Sequence, residues 1–166
     1  MTTTLNTLIH DFMGSYLGIV KIKSQSTNLL NLTGHPINVE TTNGVYVIGV
    51  AKDRYGQTWS LKVNQVATDK YCDIDLGGGK VAIHSRSEDN GDLVLWCKET
   101  KEEIAVPFDS PYRFPSAFDG VTLIVSAMTG NRFASNTVLM PMTAPHENPT
   151  RNEKGWIVSV KGLRFN

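Results

Sequence analysis

The chain has 166 residues, and its 16 Lys+Arg against 16 Asp+Glu leave a formal net charge of zero, which excludes a polyelectrolyte built to neutralise the phosphates of DNA or RNA. Hydrophobic residues make up 40% and charged residues 19%, which excludes a disordered tail protein. That composition predicts one folded domain over residues 1–166, burying about two thirds of the surface its unfolded chain would expose.

Met1-Thr2-Thr3-Thr4-Leu5-Asn6-Thr7 has no basic stretch and no long apolar run. Neither a secretory signal nor a membrane-spanning helix is expected, and the chain reads as cytoplasmic. Cys72 and Cys97 lie far apart with no CxxC or Cys/His cluster, so no structural zinc and no disulfide framework is expected, only two ordinary buried thiols.

Within the segment 1–18, Leu5, Leu8, Ile9, Phe12, Met13 and Tyr16 fall on one helical stripe, which predicts an amphipathic helix over 5–17 with an N-cap from Thr2–Thr4 and a stop at Gly18. Its apolar face must cover either the rest of the domain or a second copy of the chain.

From 19 to 108 the pattern changes to short β-rich runs between turn residues. Asn43-Gly44 and Asn90-Gly91 each favour the positive φ of a hairpin turn. The first joins Ile37–Glu40 to Val45–Val50, and the second joins Val81–His84 to Leu93–Trp96. Further turns are predicted at Asp53–Gly56 and Lys98–Lys101. The reading is a mainly β fold, an antiparallel meander curled into a barrel or a sandwich.

The segment 109–166 opens with a proline and aromatic loop, Pro111-Tyr112-Arg113-Phe114-Pro115. Val121–Val125 is a continuous apolar run, as expected of a strand buried on both faces. Ser126 then caps a short helix predicted from Ala127 to about Ala134. Strands follow at Thr137–Met140 and Trp156–Val160, with a turn at Asn152–Gly155 between them.

Several residue sets bear on chemistry. Gly77-Gly78-Gly79-Lys80 lacks the GxxxxGK[ST] pattern and is followed by Val81, so it reads as a turn between strands rather than a phosphate loop. Asp73 and Asp75 share one strand face, but no third ligand accompanies them and no metal is assigned. The four histidines are scattered, and Ser126 has no GxSxG context. No cofactor is implied. Ser126 instead offers a helix start after a buried strand, which suits an anion.

Charge is uneven along the chain. Residues 1–110 carry 10 Lys+Arg against 13 Asp+Glu, and residues 111–166 carry 6 against 3. Four of the six arginines, Arg113, Arg132, Arg151 and Arg164, lie in that last third, where guanidinium forks suit phosphate and carboxylate groups.

Asn31-Leu32-Thr33-Gly34-His35-Pro36-Ile37 resembles the N-terminal signature of a family of small phage and bacterial proteins, Asn-Leu-Thr-Pro-His followed by an apolar strand. The second half is similar too, in Ile124-Val125-Ser126, Arg132, Pro141, Arg151-Asn152 with Gly155, and Gly162-Leu163. Gly34 stands where the family has proline and Asn152 where it has aspartate, and the likeness covers under half of the chain.

By analogy with phage proteins that sequester nucleotide-derived immune signals, the resemblance implies an anti-defence sponge in the bacterial cytoplasm. Such a protein would hold a small anionic ligand such as a cyclic ADP-ribose variant or a cyclic oligonucleotide, without chemistry, and would act as a homo-oligomer joined partly through the N-terminal helix. Arg113, Arg132 and Arg151 would hold phosphates. Asn31, Thr33 and His35 would bond sugar or base, and Ser126 and Asn152 would complete the site. A satisfied turn is the other reading of Asn31, Thr33 and His35. Two rival functions stand beside the sponge: an enzyme hydrolysing such a nucleotide with His35 as general base, and a protein-binding accessory protein or inhibitor using the helix and proline loops.

Overall fold

The computed structural model describes residues 4–14, 19–22, 27–107 and 118–166. The chain begins with helix α1 (Leu5–Gly14), then strands β1 (Ile19–Ile22), β2 (Thr27–Asn31), β3 (Ile37–Thr41) and β4 (Gly44–Ile48). Two long strands follow, β5 (Trp59–Asp75) and β6 (Lys80–Cys97), with the short β7 (Glu103–Ala105) beside them. The remainder is β8 (Val121–Ile124), a one-turn helix α2 (Ala127–Gly130), β9 (Leu139–Pro141), a 3-10 turn at Pro145–Glu147, β10 (Thr150–Arg151), β11 (Ile157–Ser159) and β12 (Leu163–Phe165). The proline loop at 111–115, with Arg113, lies outside the described residues.

The fold is mainly β, with an N-terminal helix and one short later helix, as the sequence predicts. The largest sheet has the order β1-β2-β8-β9-β12. Its outer pairs are antiparallel, whereas β2, β8 and β9 run parallel to one another, a feature that an antiparallel meander does not anticipate. None of the described sheets closes on itself, so the sheets stack in layers rather than forming a barrel.

The five-stranded sheet is covered on both faces. Leu30, Leu123, Val125 and Met140 join a large core with Trp59, Leu61, Leu93 and Leu95 of β5 and β6, while Leu29 and Ile124 join a smaller one with Ile37, Ile48 and Val160. Strand β8 is central and sends Leu123 to one core and Ile124 to the other, which accounts for its largely apolar sequence, broken only by the half-buried Thr122. The smaller core is roofed by the β3–β4 hairpin, and a parallel bridge from Val39 to Val160 connects that hairpin to the end of β11.

Helix α1 is shut by Thr4, whose Oγ1 accepts the Thr7 N–H at 3.2 Å. Leu8 and Phe12 are fully buried in the larger core of the same chain, so this face of the helix covers its own domain. A ten-residue helix is too short to persist alone in water, and this packing is what maintains it. Arg54 adds a clasp, its Nη2 lying 3.0 Å from Asp11 Oδ1 while its backbone N–H donates to Asp11 Oδ2.

Asn90-Gly91 does not make a hairpin turn. Strand β6 runs through it, and the chain reverses at Leu76–Gly79, where Gly77 and Gly79 take φ of 88° and 153° and Leu76 N–H donates to Gly79 C=O. At 90–92 the ladder instead shifts register, with Val63 opposite Leu93 and Gln65 opposite Asn90, leaving Asn64 facing two residues in a β-bulge. The glycine run is thus the turn predicted for it. Cys97 is buried, but Cys72 is exposed on the long hairpin, contrary to the expectation of two buried thiols. No helix among the described residues is long and apolar enough to cross a membrane.

Candidate functional site

Two parallel strands end side by side, and a third begins at their level and runs on past them. Asn31 of β2 is in register with Ile124 of β8, and Ile124 with Leu139 of β9. The residues just beyond these ends line one cleft: Thr33 and His35 after β2, Ser126 and Ala127 after β8, and Pro141 and Thr143 at and after β9. The opposite wall is Ile37 and Asn38 of β3 and residues 157–160. The cleft encloses about 370 Å³, within the range of small-molecule sites. The edge where parallel strands deliver their carboxyl ends is a recurrent ligand position in open sheets.

Asn31 holds this edge together from behind. It is fully buried, and its Oδ1 accepts the Thr33 N–H at 3.0 Å and the Thr33 hydroxyl at 2.7 Å. Its Nδ2 donates to the His35 carbonyl at 2.8 Å and, more weakly, to that of Ile48 at 3.4 Å. The amide therefore spends its bonding capacity on the 31–35 turn, so it positions Thr33 and His35 and does not itself face the cleft. Gly34 sits at φ of 87°, with Ser60 against it. Proline is fixed near −65°, so the turn departs in conformation as well as composition from the Asn-Leu-Thr-Pro-His pattern it resembles.

The far wall is fixed by Glu40 of β3. Its Oε2 accepts from Thr150 Oγ1 at 2.7 Å and Ser159 Oγ at 2.9 Å, and its Oε1 accepts from Lys161 Nζ at 3.0 Å. These bonds from Thr150, Lys161 and Ser159 draw its carboxyl down to about 2. A second tie comes from Asn38, whose Nδ2 donates to the Val158 carbonyl at 2.9 Å.

The other predicted residues divide. Thr33, His35 and Ser126 meet at the cleft, as the sequence reading placed them together. Arg132 lines a separate cleft of about 280 Å³ with Asp92, Leu93, Ala105, Val106 and Pro107. Arg151 donates from Nη1 to the Gly155 carbonyl at 2.8 Å, across its own hairpin turn. Asn152 accepts the N–H groups of Lys154 and Trp156 in that same turn, and neither it nor Arg151 lines the cleft. Arg164 faces Glu147 at 3.4 Å. The described lining therefore contains no arginine.

Ser126 occupies the N-cap position of α2 without capping it. Its hydroxyl donates to Thr129 Oγ1 at 3.3 Å, and Thr129 in turn donates to the Leu61 carbonyl. The helix stops at Gly130 rather than near Ala134, and a single turn supplies little dipole for an anion. The sequence reading missed the wall formed by Ile157–Ser159 and Thr143, because the bridge that brings β11 to β3 joins residues about 120 apart in sequence. Comparison with known protein families, characterised proteins and solved structures finds no match.

Proposed function

We propose that this cleft binds a small, ring-bearing, polar ligand of the nucleoside or cyclic-nucleotide type and holds it intact. The observation that carries the reading is that the residues following the adjoining ends of β2 and β8, together with the far end of the parallel β9, line one preformed cleft. Because the buried Asn31 amide fixes the 31–35 turn in advance, little ordering cost falls on binding. Ile37, Pro141, Ile157 and Val158 offer apolar surface for a flat ring, while Thr143 brings a hydroxyl and those of Thr33, Ser126 and Ser159, which donate to Asn31, Thr129 and Glu40, offer acceptor oxygens. The imidazole of His35 donates or accepts, and in its protonated form suits a single phosphate.

This reading keeps the sequestering function implied by the phage-protein resemblance and changes the ligand it favours. A diphosphate gripped by several arginines matches the described lining poorly, whereas a nucleoside or a mono-anionic ring matches it well. Among the described lining residues there is no carboxylate to orient His35 as a general base, which favours retention over hydrolysis.

The test is to incubate the protein with nucleosides, cyclic mononucleotides, cyclic dinucleotides and ADP-ribose derivatives, remove free ligand, denature and identify what is released by mass spectrometry. Release of an intact compound is expected. An altered compound would replace this reading with the hydrolytic one, and no retained compound would reject both. His35→Ala and the cleft-filling Val158→Trp are expected to weaken binding at least about tenfold, about 1.4 kcal/mol, while Arg132→Ala leaves it unchanged.

A further inference from the structure

Beyond Val63 the β5–β6 pair leaves the body of the protein. Strand β7 accompanies only Val94–Trp96, so from Ala67 to the turn the hairpin is two strands wide. Every residue from 67 to 87 is exposed. A two-stranded ribbon standing alone in water is marginally stable at best.

The register gives this ribbon two unlike faces. Cys72 and Ile74 lie opposite Ile83 and Val81 on one face, with Leu76 at the tip. Ile74, Val81 and Ile83 are 42–43% exposed and Leu76 71%, so the distal half of this face is an uncovered apolar patch, while nearer the body the same face carries Thr68, Lys70, Ser85 and Ser87. On the other face Asp69, Tyr71, Asp73 and Asp75 lie opposite Arg86, His84, Ala82 and Lys80. That face is internally organised: the Tyr71 ring stacks on His84 with centroids 4.7 Å apart, and His84 Nε2 lies 2.9 Å from Asp69 Oδ1. One side is finished for water along its length, and the distal half of the other is not.

We propose that the distal β5–β6 ribbon is a dimerisation arm that lies, apolar face down, on the body of a second copy of this chain, with the partner's arm reciprocating about a two-fold axis. Area selects this arrangement. Nine residues per strand at about 3.3 Å each and a width near 10 Å give one whole ribbon face, polar and apolar halves together, about 300 Å², and interfaces of this kind bury both. Two arms stacked on each other would bury about 600 Å² in total, the size of a non-specific contact. Two arms each covering the other protomer's body bury about 1,200 Å², the lower bound of a stable interface. A single arm laid on an unrelated protein again gives only about 600 Å², so the two-fold repetition supplies the missing area.

The body exposes apolar side chains of its own. Val45 and Val47 share the outer face of the edge strand β4 and are 59% and 58% exposed, and Trp156, on the hairpin that β3 contacts through Val160, is 70% exposed.

Sedimentation of the full chain over a range of concentrations tests the proposal. Wild type is expected to sediment as a dimer of 18.3 kDa chains. Two variants are expected to be monomeric with unchanged thermal unfolding: one in which Asn-Gly replaces residues 68–87 and joins the register partners Ala67 and Glu88, and Ile74→Glu/Ile83→Glu. The charge pair should weaken association at least about 100-fold, since it would bury unpaired carboxylates. A monomeric wild type at about 100 μM, or dimeric variants, overturns the proposal. Efficient Cys72-to-Cys72 disulfide cross-linking under mild oxidation overturns the arm-on-body geometry in favour of stacked ribbons.

Discussion

Replacing Asn31 with alanine tests whether the buried amide is what shapes the cleft. The side chain makes three short bonds, accepting the Thr33 N–H and hydroxyl and donating to the His35 carbonyl, and one long bond to the Ile48 carbonyl. Each short bond contributes about 1 kcal/mol net. Thr33 is half-buried and His35 exposed, so water can reach their groups in the variant, whereas the Ile48 carbonyl lies in a more protected setting. The expected cost is therefore about 3 kcal/mol, a large share of the 5–15 kcal/mol typical of a domain. Urea unfolding measures it, with an unchanged m-value showing that the unfolded state is not the cause. Thr33→Val removes the hydroxyl that donates to Asn31 Oδ1 at 2.7 Å or to the His35 carbonyl at 3.0 Å and accepts the His35 N–H at 3.4 Å; it should cost about 1–2 kcal/mol, and the double variant should reveal a coupling of about 1 kcal/mol between the two positions. A loss below about 1 kcal/mol for Asn31→Ala would refute the reasoning, because the turn would then be held by its flanking strands alone.

Three further outcomes follow from the same packing. Phe12→Ala empties a fully buried site under α1 and should cost about 3–5 kcal/mol in urea unfolding, with the helix amides losing hydrogen-exchange protection first; a change under 1 kcal/mol would show that the helix is not docked. Gly130→Ala drives a Cβ into Met140 Sδ at the end of α2, and an overpacking cost of about 1–3 kcal/mol is expected in the unfolding midpoint; a stabilised variant would contradict it. The Glu40 carboxyl titrates at about 2 in the fold against an ordinary 4.5, so its stabilisation is complete above about pH 4.5 and is lost as pH falls through about 2. Wild type should accordingly exceed Glu40→Gln in stability at neutral pH, and the gap should close between pH 4.5 and 2; a gap independent of pH would remove Glu40 as the tie between β3 and the β10–β11 hairpin.

What the sequence made legible was local. The apolar stripe of α1 is read directly from residue spacing, but nothing in that spacing distinguishes a core face from an oligomer face, and Leu8 and Phe12 turn inward. The run at Val121–Val125 announced a strand buried on both sides, and β8 is one. Asn90-Gly91 misled because its preference for positive φ is a weak local term. Here it competes with a ladder of pairs running from Trp59–Cys97 out to Asp75–Lys80, and the ladder prevails by absorbing the dipeptide at a bulge. A strand of 17 or 18 residues is also about three times the usual length, so any reading that expects ordinary strands divides it.

Of the residues the sequence singles out, Thr33, His35 and Ser126 meet at one cleft, and the described arginines do not join them. Arginine density pointed to the last third of the chain, yet Arg151 braces a turn and Arg164 answers Glu147. What brings Thr33, His35 and Ser126 together is the parallel pairing of β2 with β8, residues almost a hundred positions apart. Side-chain periodicity carries no trace of which strands run parallel, because the alternation of faces is the same in either direction. Motif residues that follow strand ends in separate segments nonetheless share a consequence: if those strands are parallel neighbours, the motifs must meet at one edge. Asn31-Leu32-Thr33 after one apolar run and Val125-Ser126 after another satisfy that condition, and the zero net charge of the whole chain fits a cleft whose described lining is hydroxyls, apolar walls and one imidazole rather than a cluster of cations.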